Sequence, residues 1–412
     1  MRAAWLVAGL AAGLLLAAAC SDQRASPVGA DLLPGGVLGG ALQVATSRDF
    51  ALAVTYPIFP AGRAEADRVT TSLAWPTAPG FESRALFRFD FAQIDSLPAG
   101  TQIADATVRL VYPTPPQPVT LTLHRVTSGW SEDAATWTRR LFGADWSTSG
   151  GDFDPEPVAR FTIGPGQPDS IRVPVPGALI AGWRSGALLN AGLVLLQETP
   201  GIGVDFASRG AEGGNVRGPS LILAVLLPGA GSPSGIGALL AEEDVFIAID
   251  RGGFPPGGLI VSGAEPVRRV FLEPTLASIP AGAAVASAKL ILTIASVRTP
   301  RDSVTVVARE ATTEFRGEQT VYVPTTANTV LGVQIVAATA QPGDTVIFES
   351  RQLTRRVRDR LRDPLALRGI GLNVLEESIA FGGVQFHGPE APLALRPRFR
   401  IVFLPPAETG ID

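Results

Sequence analysis

The sequence predicts an all-β protein made of two tandem duplicated jelly-roll β-sandwich domains, each with one short helix. Residues 96–111 return as residues 278–293 with seven of 16 positions identical, so the chain contains an internal duplication. Each copy is a Pro-Ala-Gly turn followed by alternating apolar and polar residues, which is the period of a half-buried strand. The 45 glycines and 35 prolines favour short strands joined by turns over helices.

The N-terminal residues 1–19 predict an export signal. One positive charge at Arg2 precedes an apolar run of 17 residues, and three alanines stand before Cys20. The segment LLLAAAC resembles a bacterial lipobox, although Ala17 stands where that motif prefers Leu. The resemblance implies acylation of Cys20, so we expect an exported lipoprotein held through its lipid at the cell envelope, at the outer membrane or cell surface. An uncleaved anchor and an ordinary signal peptide are the alternatives.

The remaining chain divides at segments rich in turn-forming residues. A single cysteine leaves no disulfide to stabilise either domain. Further matches, such as residues 190–199 with 369–378, keep the same order in both copies and support the duplication. Short helices are predicted at residues 175–184 and 353–361. The predicted units are a flexible tether at 20–40, a first sandwich at 41–228, a linker at 229–236, a second sandwich at 237–406 and a tail at 407–412.

The first domain resembles a known family nearly from end to end. It contains ALFRFD at residues 85–90, a strand beginning A-T-V-R-L, a W-S-E turn at 130–132 and F-x-S-R ending at Arg209. These motifs resemble the DNRLRE domain family, whose members are extracellular jelly-roll sandwiches similar to carbohydrate-binding modules. The resemblance implies glycan binding, with acidic polysaccharides among the ligands linked to the family. The second domain has Thr313-Glu314-Phe315 in place of the W-S-E turn and contains no tryptophan.

Few residues of the chain favour catalysis. The net charge of -4 argues against a nucleic-acid partner, which requires a clustered basic face. The two histidines, His124 and His387, lie in different domains, and His124 shares a strand face with Thr120 and Thr122, so we expect it to be solvated. The sequence contains no G-x-S-x-G elbow, H-E-x-x-H motif or Walker loop. We therefore expect a protein that is not an enzyme, with polysaccharide degradation the less favoured alternative.

The tryptophans of the first domain supply candidate ligand-binding residues. Trp130, Trp137 and Trp183 occupy positions that we expect to pack the end of the sandwich. Trp75 and Trp146 lie in segments rich in Pro, Thr, Ser and Gly, where an exposed indole could stack on a sugar ring. The alternative is that both fold back onto the core.

The acidic segment at residues 151–157 supplies a candidate metal site. Asp152, Asp154 and Glu156 stand at alternate positions of GDFDPEP, and oxygen ligands in a turn suit a structural Ca²⁺. The alternative is a plain acidic turn, and no other cofactor is expected. The sequence thus predicts a non-catalytic glycan-binding or adhesion module with the first domain as its recognition domain, or alternatively a purely structural or assembly protein without a sugar ligand.

Overall fold

The computed structural model describes residues 41–406 except for residues 59–67, 76–77, 211–216, 264, 312, 317–328 and 376–381. The predicted export signal, Cys20, the tether and the tail lie outside the described residues. The described chain is predominantly β-strand and forms two all-β sandwiches, as the alternating patterns predict.

The elements follow one another in this order. The chain begins with β1 (Gln43–Ser47) and β2 (Phe50–Ile58). Then come β3 (Arg68–Trp75), β4 (Ala78–Phe89), α1 (Ala92–Asp95), β5 (Gln102–Val111), β6 (Val119–Arg125), β7 (Arg139–Leu141), β8 (Ala144–Asp145), β9 (Ala159–Ile163), β10 (Ser170–Pro174), α2 (Gly177–Arg184), β11 (Leu193–Gln197), β12 (Ile202–Ala207), β13 (Ser220–Leu226) and β14 (Ser234–Asp250). The last are β15 (Leu259–Ser262), β16 (Val267–Pro274), β17 (Ala284–Arg298), β18 (Ser303–Glu310), β19 (Val330–Ala337), β20 (Thr345–Glu349), α3 (Arg351–Arg362), β21 (Ile370–Val374), β22 (Gly383–Phe386) and β23 (Arg398–Leu404).

Sandwich A is built from residues 68–250. Its hydrogen-bonded strands run in the order β10-β5-β13-β14-β4-β11-β6-β9, while β12 pairs with β3 and β3 with β4. The long strand β14 pairs with β13 through its first half and with β4 through its second half, so it joins the two halves of the curled sheet. Between those halves lies an apolar core that includes Phe87, Phe89, Phe206 and Trp183.

Sandwich B is built from residues 259–404 together with the N-terminal strands β1 and β2. Its order is β1-β23-β17-β22-β15-β16-β21-β18-β19, with β2 on β16 and β20 on β17. The core of this sandwich includes Phe348, Phe386 and Phe399. The strands β1 and β2 therefore belong to sandwich B although they precede sandwich A in the chain.

This pairing corrects the domain boundaries expected at 41–228, 229–236 and 237–406. Residues 229–233 connect two antiparallel neighbours, β13 and β14, so the Gly-rich segment is a turn inside sandwich A. Residues 43–58 pair with β23 and β16 and so complete sandwich B. A composition shift marks a turn as readily as a linker, which is why the boundary was misplaced.

The two predicted helices are confirmed with small shifts of their ends. Helix α2 buries Leu179, Ile180 and Trp183, which places Trp183 in the core as expected. Helix α3 begins after Ser350, whose hydroxyl oxygen accepts a hydrogen bond from the Leu353 amide at 3.0 Å. Sandwich A also contains the four-residue helix α1. Among the described residues, no helix has both the length and the hydropathy needed to cross a membrane.

Candidate functional site

The segment between β6 and β9 forms a cap on the outer face of sandwich A. It contributes Trp130, Trp137 and Trp146 to a second apolar cluster, which we call the tryptophan subcore. On the sheet side, the subcore contacts Leu86, Val126, Val194, Val245 and Ile247. Trp130 and Trp137 are thus buried as expected, but against the outer face of the sheet and not at the end of the sandwich.

The burial of Trp146 contradicts the expectation that it is an exposed sugar platform. Its side chain is only 5% exposed, and its indole N–H donates a hydrogen bond to the Thr136 carbonyl at 2.9 Å. Trp75 is the last residue of β3, where it is half-buried and packs against the core of sandwich A. Both indoles therefore follow the alternative, in which they fold back onto the protein.

The acidic segment does not bring its three carboxylates together. Asp152 is buried, and its carboxylate accepts hydrogen bonds from the Ser147 and Thr148 amides at 3.1 and 2.8 Å. Burial alone would raise the pKa of Asp152, but these hydrogen bonds outweigh burial and hold the pKa below its ordinary value. Asp154 pairs with Arg125 at 2.7 Å.

Glu156, the third residue of the predicted calcium site, is exposed. Among the described residues, no group of three or more His, Cys, Asp or Glu side chains is arranged to hold a metal ion. The segment is consistent with the alternative of an acidic turn, in which Asp152 caps the neighbouring backbone.

The hairpin β7–β8 at the tip of the cap presents an exposed aromatic ring. Phe142 lies in its turn and is 64% exposed, with the Arg139 guanidinium 5.4 Å from the ring centroid. Gly143 follows at φ 77°, a left-handed conformation that favours glycine. The hairpin is joined to the tryptophan subcore through its ends. Trp146 follows β8 directly, and its amide donates a hydrogen bond to the Thr138 carbonyl, which precedes β7.

Two motifs that are distant in sequence, the W-S-E turn and F-x-S-R, meet in a partly buried ion pair. Glu132 of the W-S-E turn accepts from the Arg209 guanidinium at 2.9 Å, and the Arg209 amide donates to Asp244 of β14 at 2.7 Å. Nearby, Glu243 pairs with Arg88 at 2.8 Å. The two motifs therefore tie the cap, the end of β12 and β14 to one another.

The acidic members of this cluster have shifted pKa values. Burial raises the pKa of Glu132 above its ordinary value, although the Arg209 charge opposes the change. Burial likewise raises the pKa of Glu243, opposed by Arg88. Carboxyl groups of this kind occur in catalytic clefts and in structural ion-pair networks alike. Here each acid is engaged by an arginine, which is the arrangement of a structural network.

His124 is buried and not solvated as expected. Its Nδ1 lies 2.8 Å from the Asp154 carbonyl, and its ring packs against Phe153 in an edge contact with centroids 5.2 Å apart. The cap covers part of the outer face of β6, so Thr122 and His124 are buried while Thr120 stays half-exposed. His387 is half-buried.

Comparison with protein-family models finds no match for this chain, and comparison with curated proteins finds none either. The resemblance to the DNRLRE family therefore stays a prediction that depends on the motifs themselves.

Proposed function

We propose that the protein is a non-catalytic glycan-binding or adhesion module of the cell envelope, with sandwich A as its recognition domain. The observation that carries this proposal is the exposed ring of Phe142 on the hairpin β7–β8. An exposed aromatic face held on a rigid base can stack on the apolar face of a sugar ring. This ring takes the role that the sequence had assigned to Trp75 and Trp146.

The charges around the hairpin suit an extended polar ligand. Arg139 and Arg140 precede Phe142, and their guanidinium groups donate to the Ala134 and Gly129 carbonyls of the cap at 3.2 and 2.9 Å. These hydrogen bonds orient both arginines, whose side chains are half-exposed, and the Arg139 guanidinium lies beside the Phe142 ring. The combination of one aromatic face and two oriented guanidinium groups fits a saccharide that carries oxygen-rich substituents.

A glycan array with the soluble fragment 21–412 tests this proposal. The Phe142→Ser variant should lose most of any glycan signal while it keeps the melting temperature of the unaltered fragment. The matched control is Leu365→Ser, because Leu365 is 63% exposed in sandwich B and should not affect binding. Equal signals from Phe142→Ser and the unaltered fragment would overturn the assignment to this hairpin. Added chelator tests calcium, and we expect no effect because Asp152 and Asp154 already have protein partners.

We further propose that an acylated Cys20 anchors the chain beside sandwich B. The first strand, β1, begins at Gln43 and pairs with β23 of that sandwich. Sandwich A would then be the distal domain, which suits a recognition role. Labelling with a clickable fatty acid should mark the protein, and equal labelling of Cys20→Ala would refute lipidation.

An assembly protein without a sugar ligand is the second candidate, favoured by an apolar edge on sandwich B. Strand β19 ends the sheet order, and it exposes Val333 and Ile335 by 50% and 72%. It borders an open cleft of about 380 Å³ beside β20. Uncharged edges of this kind are places where other strands add to a sheet.

A further inference from the structure

Each sandwich contains strands that lie outside its own copy of the repeated sequence. In sandwich A, β14 pairs with β13 and with β4. In sandwich B, β1 pairs with β23 and β2 pairs with β16. The duplication makes β13 equivalent to β23, since residues 219–223 match residues 397–401. Each sandwich is therefore completed by the segment that precedes the other copy, and strand exchange is already built into the single chain.

The segment that completes sandwich B, residues 43–58, combines backbone pairing with apolar side chains of which most are only partly buried; we call it the strap. It forms five register pairs with β23 and eight with β16. Of its described side chains only Tyr56 is buried, and Val44 is 53% exposed. In contrast, β14 buries Leu239, Ala241, Val245, Phe246, Ile247 and Ala248. Five further strap residues, among them Phe50 and Leu52, pack against sandwich B while only partly buried. The strap can thus leave its site with a smaller loss of apolar burial than β14 could.

The connection on the other side of sandwich B is compatible with opening. Residues 251–258 join β14 to β15 and contain four glycines and two prolines in eight residues. The contacts between the sandwiches near this connection include two ion pairs, Arg298 with Asp250 at 3.0 Å and Arg301 with Asp205 at 2.7 Å, and hydrogen bonds to Glu265. Polar contacts of this kind re-form equally well between two molecules.

We propose that the strap is a strand-exchange element through which two copies of this chain join. The acceptor surface on β23 and β16 takes residues 43–58 of the second copy, because an identical segment offers the same register and the same Tyr56 side chain. Sandwich A of each copy follows its strap and docks on sandwich B of the other, which gives a closed twofold dimer. This inference is independent of glycan binding.

A disulfide experiment with two single-cysteine variants tests the exchange. Thr46 faces Arg400 across β1 and β23, and both are exposed. The fragment 21–412 lacks the only native cysteine, so Thr46→Cys and Arg400→Cys can be mixed, incubated at high concentration and oxidised. We expect a covalent dimer that links position 46 of one copy to position 400 of the other, identified by tags of different mass and by peptide mapping.

Two controls make every outcome decisive. The double variant Thr46→Cys and Arg400→Cys should close within one chain, which verifies the register and the fold. A mixture of Ala224→Cys and Gly235→Cys, which are partners across β13 and β14, should give no linked dimer because β14 is buried. Failure of the double variant to close would overturn the proposal. So would closure of the double variant accompanied by no more linked dimer in the test mixture than in the control mixture.

Discussion

Sandwich A and sandwich B share the sequence pattern that predicts a duplication, yet they protect the outer faces of their sheets with different side chains. In A, the cap buries three tryptophans against the sheet. In B, the corresponding outer cluster contains Tyr56, Phe271 and Phe315, with the rings of Tyr56 and Phe315 5.2 Å apart. Tyr56 comes from the strap, so B depends on a distant segment where A depends on a local loop. The difference separates a sandwich whose outer cluster is completed by a local loop from one whose outer cluster includes a side chain of a distant segment.

The largest expected effect concerns the segments that complete the two sandwiches. A fragment of residues 59–251 retains β14 and should unfold cooperatively on heating, whereas a fragment of residues 41–228 lacks β14 and should not fold. Each large apolar side chain lost from the core removes about 2–5 kcal/mol, and the sum exceeds the roughly 5–15 kcal/mol that stabilises a domain. Thermal melts followed by circular dichroism measure the difference.

The matched deletion removes the strap from the whole protein. The fragment 59–412 should stay folded with a lowered melting temperature for sandwich B, because only Tyr56 leaves a buried position among the described strap side chains. A cooperative melt for residues 41–228 equal to that of residues 59–251 would show that β14 is dispensable and would remove the contrast.

The strand patterns and both longer helices could be predicted from the sequence because alternation and four-residue spacing are local properties. The pairing of β1 and β2 with sandwich B could not be predicted in this way, because β2 and its partner β16 are more than 200 residues apart in the chain. The pairing of β14 with β4 could not be predicted either, because these two strands are also distant in the chain. The segment 229–235 has the composition of a linker, but residues 229–233 lie between two antiparallel neighbouring strands and form a turn.

The candidate site was harder to predict than the fold. The burial of Trp146 depends on how the cap folds over the sheet, and the surrounding Ser and Gly residues give no sign of it. Phe142 could not be identified from the sequence because a single Phe is usually buried, even beside charged residues such as Arg139 and Arg140. The one usable signal was Gly143, since a glycine between the short segments 139–141 and 144–145 indicates a tight turn that exposes the preceding residue.

The next effect in size tests the tryptophan subcore against its counterpart in B. Trp137→Ala and Trp146→Ala should each lower the free energy of unfolding of sandwich A by about 3–5 kcal/mol, because both indoles are buried. Phe315→Ala should cost sandwich B about 1–2 kcal/mol, since that ring is half-buried. Chemical denaturation measures all three. If Trp146→Ala lowered the free energy of unfolding by less than Phe315→Ala does, Trp146 would again be a candidate for an exposed sugar-binding residue.

A moderate effect is expected from the pH dependence of the acidic cluster in A. The pKa values of Glu132 and Glu243 are raised by burial, so the folded state binds their protons more tightly than the unfolded state does. By linkage, their contribution to stability falls as the pH rises from the ordinary value of 4.5 through the folded pKa, and it recovers on mild acidification. Sandwich A should therefore gain stability between neutral pH and about pH 5.

Melts at several pH values in low salt measure this response. Glu132→Gln should reduce the gain on acidification because it removes one of the two titrating groups. The exposed Glu156→Gln variant is the control and should leave the response unchanged. An unchanged response in Glu132→Gln would mean that other groups set the pH dependence.

The smallest effect on stability, and a clear effect on association, is expected at the sheet edges. Both β9 in A and β19 in B end their strand orders, but β9 carries Arg160, which pairs with Glu198 at 2.7 Å, while β19 carries no charge and exposes Ile335. Charges on an edge strand oppose the addition of further strands. Ile335→Lys should therefore reduce self-association measured by light scattering over a concentration series, with the free energy of unfolding changed by less than about 0.5 kcal/mol. Arg160→Val should do the converse and make the edge of A associate. If Ile335→Lys left scattering unchanged, the edge of B would already be covered in solution. If Arg160→Val nevertheless raised scattering, the contrast between the two edges would lie in charge alone.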